Sequence, residues 1–276
     1  MKIFIHQTKI SLGDFEGVYN YLEELCQKDG LHGLHLFPEL FLTGYPLQDL
    51  CLQQEFIEGY QQLQKKLNEL SKGLKDKNDF AGFLFGGLDY LFHHKQIPEK
   101  IFNAAFLMKP GKELQCVYRK KLLPNYDIYD EKKYFSKGED NCLLDINGKI
   151  FSVIICEDMW YSSAHQEDPM KEIFDEVQQK KISLDAIINL SASPYHLDKI
   201  KNRISRAKSL SKIFSTNFIY INQVALQDEI LFDGQSFFIN QAQEINKMQA
   251  FKPGVLEFEL NEVESTSSKT YEKEEG

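Results

Sequence analysis

The sequence predicts an α/β fold, in which strands and helices alternate along the chain. Short runs of β-branched and aromatic residues, typical of strands buried on both faces, recur from the N-terminus to about residue 240. Segments with apolar residues at helical spacing separate these runs, and glycine or proline often marks the change between them. A chain of 276 residues, 42% of them hydrophobic, can bury one large core.

The predicted strands share a short apolar run rich in valine, isoleucine, leucine or phenylalanine. They lie at residues 3–7, 34–37, 80–87, 103–108, 116–120, 149–155, 185–190, 218–223 and 236–239. The run at 149–155 is nearly unbroken, which indicates a strand in the middle of a sheet. Between the third and fourth strands we expect a polar loop that contains His93 and His94.

The predicted helices share apolar residues three or four positions apart. The first follows Asp14, a favourable N-cap residue, and Gly30 ends it. Residues 47–72 are expected to be helical with one or two breaks, residues 161–184 to be a polar, partly helical insertion, and residues 198–214 to be a helix. We expect residues 1–260 to form one domain and the acidic residues 261–276 to form a disordered tail.

The composition argues against several classes of function. A net charge of -9 without a basic block argues against nucleic acid as a partner, because binding to phosphates requires positive charge. No apolar run suits a membrane span or a signal peptide, so we expect a cytoplasmic protein. Five cysteines without paired spacing fit a reducing compartment. The pair His93 and His94 lacks a further ligand at the spacing of a metal site, and the sequence predicts neither a metal nor a cofactor.

Three reactive side chains follow predicted strands. Glu39 comes after the strand at 34–37, Lys120 ends the strand at 116–120, and Cys156 directly follows the strand at 149–155. Each has an ordinary alternative explanation, since charged residues at loops are usually solvated and a free cysteine is usually a buried apolar residue. Because strand ends carry the chemistry in α/β folds, the three side chains are candidates for one pocket.

Together, these side chains would supply what the hydrolysis of an amide requires. A thiol with a pKa of about 8.5 is only slightly ionised at neutral pH, so it needs a base. The carboxylate of Glu39 would take the proton and return it to the leaving amine. The ammonium of Lys120 would offset the negative charges and stabilise the oxyanion that develops on the substrate. This chemistry requires no histidine.

Longer segments around these residues have a recognisable pattern. They are residues 38–46 (Pro-Glu-Leu-Phe-Leu-Thr-Gly-Tyr-Pro), residues 120–135 with Leu-Pro-Asn-Tyr and Asp-Glu, and residues 156–160 (Cys-Glu-Asp-Met-Trp). In this order they resemble the carbon-nitrogen hydrolase (nitrilase) superfamily, and within it the glutaminase domain of glutamine-dependent NAD synthetases. The resemblance covers roughly residues 1–255 and implies a four-layer α-β-β-α sandwich that forms a homo-oligomer.

The resemblance also implies roles for individual residues. Glu39, Lys120 and Cys156 match the catalytic triad, and Glu131 matches a second glutamate that holds the lysine. Lys120 is preferred to Lys121 because the lysine of the family stands three residues before the leucine of the Leu-Pro pair.

Substrate contacts are implied at four further positions. Tyr126, Ser193 and Lys199 match residues that grip the α-amino and α-carboxylate groups of glutamine. Ser193 has an alternative role as a turn residue, and Lys199 as a surface charge. Trp160 is expected either to line the pocket or to pack in the core.

The function implied is a cysteine-dependent amidohydrolase that releases ammonia from glutamine for NAD biosynthesis, with a separate ATP-dependent NAD synthetase chain as partner. The sequence departs from the pattern at Ala225-Leu226, where two glycines are usual, and it lacks the Ser-Gly-Gly phosphate-binding loop of the synthetase domain. Two alternatives stay open. One is hydrolysis of another small amide or N-carbamoyl compound, and the other is a non-catalytic subunit that binds and regulates a synthetase.

Overall fold

The structure, a computed structural model, describes residues 1–94, 97–125, 130–161 and 167–260. The α-helices in these ranges are α1 Phe15–Gln27, α2 Gln54–Gly73, α3 Glu131–Tyr134, α4 Pro169–Lys180 and α5 Lys199–Phe214, and two 3-10 helices cover Gln48–Leu52 and Cys156–Met159. The strands are β1 Lys2–Gln7, β2 Gly33–Leu36, β3 Phe80–His94, β4 Ile97–Met108, β5 Gln115–Arg119, β6 Leu143–Ile146, β7 Lys149–Ile155, β8 Ala186–Ser191, β9 Asn217–Asn222, β10 Val224–Gln227, β11 Ile230–Asp233, β12 Phe237–Ile239, β13 Ile245–Lys247 and β14 Gly254–Glu259.

Two six-stranded sheets form the centre of the molecule. The strand order is β14-β1-β2-β3-β4-β5 in the first sheet and β13-β12-β9-β8-β7-β6 in the second. Strands β1, β2 and β3 are parallel, as are β7, β8 and β9, and the outer pairs are antiparallel. Strands β10 and β11 form a separate two-stranded ribbon. The segments that directly follow the parallel strands β2, β7 and β8 carry most of the candidate site.

The two sheets pack face to face, with helices outside them. One buried cluster joins Ile5 and Leu36 of the first sheet to Val153 and Ile188 of the second. A second cluster lies between the first sheet and helices α1 and α2, and a third lies between the second sheet and helices α4 and α5. The predicted four-layer α-β-β-α sandwich is therefore confirmed.

Local sequence explains the helices that cover the sheets. The side chain of Asp14 accepts a hydrogen bond from Gly17 N at 2.9 Å and so caps α1, as predicted. The predicted break in residues 47–72 is also present, since a 3-10 helix precedes α2. Helix α4 buries Met170, Ile173 and Val177, so this part of the expected insertion belongs to the outer layer of the sandwich.

The predicted polar loop between the third and fourth strands is wrong. Strand β3 continues to His94 and β4 begins at Ile97, and the two pair as a long antiparallel hairpin in which Asp89 lies opposite Phe102. Residues 91–93 and 99–100 of this hairpin are exposed. A strand that lacks a buried face has little apolar alternation, and the sequence signal for a strand is therefore weak there.

Sequence reasoning missed five strands: β6, β10, β11, β13 and β14. They are three to six residues long and lie at sheet edges or in the ribbon; β13 and β14 have no buried residue, and β10 and β11 have two each. The expected tail at residues 261–276 lies outside the described residues. In the described part of the chain, no helix combines the length and the apolar character that a membrane crossing requires.

Candidate active site

The loop that carries Glu39 leaves β2 and turns back against β3. The N–H of Gly86 donates to the carbonyl of Pro38, and the N–H of Leu42 donates to the carbonyl of Gly86, both at 3.0 Å. A Cβ atom at Gly86 would lie 2.2 Å from Leu40 N and 2.6 Å from Glu39 Cα. Only glycine permits this approach, which fixes the backbone from which the Glu39 side chain extends.

The carboxylate of Glu39 is buried, and both of its oxygens accept hydrogen bonds. Oε1 accepts from Lys120 Nζ and from Asn103 Nδ2, each at 2.7 Å. Oε2 accepts from the backbone N–H of Ala192 at 2.7 Å. Because Ala192 follows β8, Glu39 links the first sheet to the second. These partners offset the hydration that the carboxylate loses on burial and fix its orientation.

Lys120 follows β5 and extends between two carboxylates. Its Nζ donates to Glu39 Oε1 at 2.7 Å and to Glu131 Oε1 at 2.9 Å, and Tyr45 Oη donates to Glu131 Oε1 at 2.9 Å. Burial alone would lower the pKa of Lys120, but Glu131 and Glu39 outweigh it and raise that pKa well above its ordinary value. The side chain is therefore an ammonium at neutral pH.

Glu131 begins the short helix α3 and is also buried. Burial raises the pKa of its carboxyl group, whereas the charge of Lys120 and the hydrogen bonds from Lys120 and Tyr45 favour the carboxylate. The alternative lysine, Lys121, extends elsewhere: its Nζ donates to Asn141 Oδ1 at 2.8 Å and to Glu172 Oε2 at 2.6 Å. The structure thus brings Lys120, and not Lys121, to the two glutamates.

Cys156 is the first residue of the 3-10 helix that follows β7. Its φ of 45° is in the left-handed region, which costs about 1–3 kcal/mol for a residue with a side chain. Its backbone N–H donates to Asn189 Oδ1 at 2.7 Å, which holds the turn against β8.

The thiol of Cys156 faces both Glu39 and Lys120. Burial, and then the charge of Glu39, raise the pKa of the thiol well above its ordinary value, whereas Lys120 acts to lower it. Both charges act on the pKa of this thiol, which indicates that Glu39 and Lys120 lie close to the sulfur. At neutral pH the sulfur is protonated, and it needs a base to become a nucleophile.

The residues predicted to bind substrate have different surroundings. Ser193 Oγ accepts from Arg203 Nη2 at 3.1 Å, and Ser193 N donates to Asn222 Oδ1 at 2.8 Å, so this residue also shapes its turn. Lys199 is half-buried at the start of α5, where burial lowers the pKa of its ammonium while the nearby Cys156 acts to raise it.

Trp160 and Tyr126 complete the set of predicted binding residues. Trp160 is half-buried and packs against the cluster between the second sheet and its helices. Tyr126 lies outside the described residues.

Sequence reasoning missed several side chains that support this site. Asn103 bonds to Glu39, and its only sequence signal is that it interrupts the apolar run of β4. Arg203 is fully buried and donates to Asp233 Oδ1 at 2.9 Å and to the carbonyls of Ser193 and Pro194 at 2.9 and 2.8 Å. Their helical and strand positions were evident from sequence, but these long-range partners were not.

Two cavities lie near this region. One of about 260 Å³ borders Glu131 and is lined by Tyr45 and Phe135 among others. The other, of about 330 Å³, runs along β5 and includes Cys116 but none of Glu39, Lys120 or Cys156. Among the residues that the structure describes, no group of three His, Cys, Asp or Glu side chains could hold a metal ion.

Comparison with known proteins decides the family. The model of the carbon-nitrogen hydrolase family matches residues 5–166. The chain belongs to the carbon-nitrogen hydrolase family. This carbon-nitrogen hydrolase is similar to the glutamine-dependent NAD(+) synthetase of Acinetobacter baylyi, with 35% identity over 212 residues that cover 77% of this chain and 35% of that protein. The synthetase of Thermotoga maritima is 31% identical over 264 residues, which cover 95% of this chain and 42% of that protein.

Solved structures give the same relationship. The carbon-nitrogen hydrolase chain matches glutamine-dependent NAD+ synthetase from Acinetobacter baumannii with a TM-score of 0.77 and 29% identity, over 98% of this chain and 48% of that one. It matches an amidase from Nesterenkonia sp. AN1 with a TM-score of 0.71 and 18% identity, over 95% and 93% of the chains, a likeness of fold alone. The chain therefore spans less than half the length of the synthetases it matches.

Proposed function

We propose that this carbon-nitrogen hydrolase is a glutamine amidohydrolase in which Cys156 is the nucleophile, Glu39 the general base and acid, and Lys120 the oxyanion stabiliser. The observation that carries the proposal is the direct bond between Glu39 and Lys120 beside the thiol of Cys156. Glutamine is proposed as substrate because the similar proteins are named glutamine-dependent NAD(+) synthetases.

The first half of the reaction forms a thioester. The carboxylate of Glu39 takes the proton of the Cys156 thiol while the sulfur attacks the carbonyl carbon of the side-chain amide. The carbonyl oxygen becomes an oxyanion. The proton then passes from Glu39 to the amide nitrogen, the carbon–nitrogen bond breaks, and ammonia leaves.

The second half of the reaction releases glutamate. Glu39, again a carboxylate, takes a proton from water, and the hydroxide oxygen attacks the thioester carbon. The carbon–sulfur bond breaks, the thiolate takes the proton from Glu39, and the enzyme returns to its starting state. Each proton that Glu39 accepts is thus returned within the same half of the reaction.

Lys120 is suited to the oxyanion because of its remaining hydrogen. An ammonium has three N–H donors, and two of them bond to Glu39 and Glu131. The third has no partner among the residues that the structure describes and can meet the oxyanion, and the two carboxylates hold the ammonium in place before the charge develops. Such preorganised charge is typically worth about 10²–10³ in rate. Glu131 is proposed as the residue that orients the lysine.

The ammonia released is proposed to serve a separate ATP-dependent NAD synthetase chain. This assignment follows from the synthetases that the chain resembles, of which it covers 35% of the length in one and 48% in another. Ser193, Lys199 and Tyr126 are proposed to hold the α-amino and α-carboxylate groups of glutamine, and Trp160 to line the pocket beside them.

Ammonia release from glutamine tests the proposal. The purified full chain is given glutamine, asparagine, simple aliphatic amides and N-carbamoyl amino acids, alone and with an ammonia-dependent NAD synthetase and its substrates. We expect ammonia from glutamine, a loss of at least about a thousandfold in Cys156→Ala, and little change in Cys26→Ala, whose sulfur lies on α1.

Other results would change the assignment in distinct ways. Release from a different amide that depends on Cys156 would replace the substrate and keep the chemistry. Undiminished glutamine hydrolysis in Cys156→Ala would overturn the nucleophile. If no compound is hydrolysed, with or without the synthetase, the chain is a non-catalytic subunit.

A further inference from the structure

The proposed catalytic residues come from two different sheets. Glu39 and Lys120 follow strands of the first sheet and, with Glu131, form one hydrogen-bonded group. Cys156 follows β7 of the second sheet and is tied to β8 through Asn189. The distance from the sulfur to the carboxylate and the ammonium therefore depends on how the two sheets are held against each other at this edge.

Asp158 joins the two sheets at this edge. Its Oδ1 accepts from the backbone N–H groups of Lys121 at 3.1 Å and Leu122 at 2.7 Å. Its Oδ2 accepts from Tyr118 Oη at 2.9 Å and from Ile155 N at 3.1 Å. Three of these hydrogen bonds come from residues 118–122, so Asp158 connects that segment of the first sheet with the 3-10 helix that begins at Cys156.

Burial and ionisation allow Asp158 to hold the two segments together. The side chain of Asp158 is fully buried, and a buried carboxylate is retained only where donors surround it. Burial raises the pKa of Asp158 to about 6, while the N–H of Leu122 and the charge of Lys120 act to lower it. At neutral pH Asp158 is therefore mainly ionised and accepts at both oxygens.

We infer that Asp158 is a positioning residue that sets the distance between the sulfur of Cys156 and the pair of Lys120 and Glu39. Asp158 lies two residues after the nucleophile, and its partners lie immediately beside Lys120. The inference rests on the proposed function, because it assigns a purpose to the spacing of residues whose catalytic roles are themselves proposed.

The substitution Asp158→Asn removes this attachment without changing the size of the side chain. Each oxygen of Asp158 accepts from at least one backbone N–H, so the amide NH₂ of asparagine would face a backbone donor in either orientation. We expect kcat to fall about tenfold or more, since small misplacements of reacting groups have effects of this size. The KM for glutamine should change less than about threefold, because the hydrogen bonds of Asp158 go to Tyr118, Lys121, Leu122 and Ile155 and not to the proposed binding residues Ser193 and Lys199.

Alkylation of Cys156 by iodoacetamide measures the positioning without any substrate. The modified peptide is quantified by mass spectrometry at pH 7–9, with Cys26 as an internal reference. In Asp158→Asn we expect Cys156 to react about tenfold or more slowly, because the sulfur is less well placed against its base and its ammonium. Tyr118→Phe, which removes one of the four bonds to Asp158, should have a smaller effect in the same direction.

Asp185 provides a matched control at the other end of β7. Its Oδ2 accepts from Ile150 N at 2.8 Å and its Oδ1 pairs with Lys149 at 2.9 Å, so it also ties down the strand that leads to Cys156. Asp185→Asn should lower the unfolding temperature but leave the alkylation rate of Cys156 unchanged. A general loss of stability would therefore not imitate a loss of positioning.

The possible outcomes separate the inference from the proposed function. If Cys156 reacts rapidly in the wild type and equally rapidly in both Asp158→Asn and Tyr118→Phe, the inference is overturned and the proposed function stands. If the sulfur of Cys156 in the wild type reacts no faster than that of Cys26 and glutamine is not hydrolysed, the proposed function itself fails. Slower alkylation in both variants with a normal rate in Asp185→Asn supports the inference.

Discussion

Gly86→Ala should displace the loop of Glu39 and slow catalysis. The added Cβ would lie 2.2 Å from Leu40 N and 2.6 Å from Glu39 Cα, whereas ordinary contacts begin at 3.4 Å. The loop would have to retreat by about 1 Å to relieve this clash, which also lengthens its two backbone hydrogen bonds to Gly86. A misplacement of about 1 Å can reduce a rate by about 10². Overpacking of this kind costs about 1–3 kcal/mol in the free energy of unfolding.

Two measurements test this prediction. Ammonia release from glutamine gives kcat, and urea unfolding followed by circular dichroism gives the free energy of unfolding. Gly73→Ala is the control, because no atom lies within 4 Å of a Cβ at the end of α2, and alanine there should be neutral or stabilising by up to about 1 kcal/mol. A Gly86→Ala protein with the kcat of the wild type would refute the reasoning that this glycine positions Glu39.

Further predictions concern buried charges. Lys120→Met leaves two buried carboxylates without their cation, so the free energy of unfolding, measured with urea, should fall by about 3–5 kcal/mol. The rate of ammonia release should fall at least about a hundredfold. Lys121→Met, the control, should retain most of its activity, because Lys121 pairs with Glu172 instead. Arg203→Met should cost a similar free energy of unfolding, because it leaves buried Asp233 without its ion pair, and unchanged stability would contradict this. Burial lowers the pKa of His35 from 6.5 to about 4. As the pH falls from 6.5 to about 4, His35 is therefore protonated in the unfolded chain but not in the folded one. The free energy of unfolding should fall by up to about 3 kcal/mol over this range. In His35→Gln, the difference in the free energy of unfolding between pH 7 and pH 5, measured with urea, should be smaller than in the wild type. An unchanged difference would contradict this prediction.

The sequence predicted the main elements of the fold because those elements carry strong local patterns. Strands β7 and β8 are almost wholly buried, and their apolar runs are continuous. Strand β14 pairs with β1 at a sheet edge, where its residues are mostly exposed, and it leaves no such run. The hairpin of β3 and β4 was misread for the same reason, since it extends beyond the buried part of the sheet.

The candidate site was predictable to the extent that its residues follow strands. Glu39, Lys120 and Cys156 each come after an apolar run, and the structure brings them together. The choice of Lys120 over Lys121 needed a family pattern, because both follow the same strand. In extended chain, neighbouring side chains point in opposite directions, and this places only one of the two lysines between the glutamates.

The bonds that support the site were beyond reach of the sequence. Asp158 accepts from residues 36 and 37 positions away, and Ala192 donates to Glu39 across 153 positions. Such partners depend on how the two sheets pack, and no local pattern of residues specifies them.

The left-handed conformation of Cys156 has a consequence for the choice of inactive variants. Alanine keeps the Cβ atom and hence the unfavourable backbone geometry, whereas glycine adopts this geometry freely. If Cys156→Gly unfolds at a higher temperature than Cys156→Ala, despite the greater freedom of glycine in the unfolded chain, the difference reports energy held in the native turn. Folding free energy from the rest of the molecule would then hold the backbone of Cys156 in a strained conformation, and with it the position of one sulfur atom.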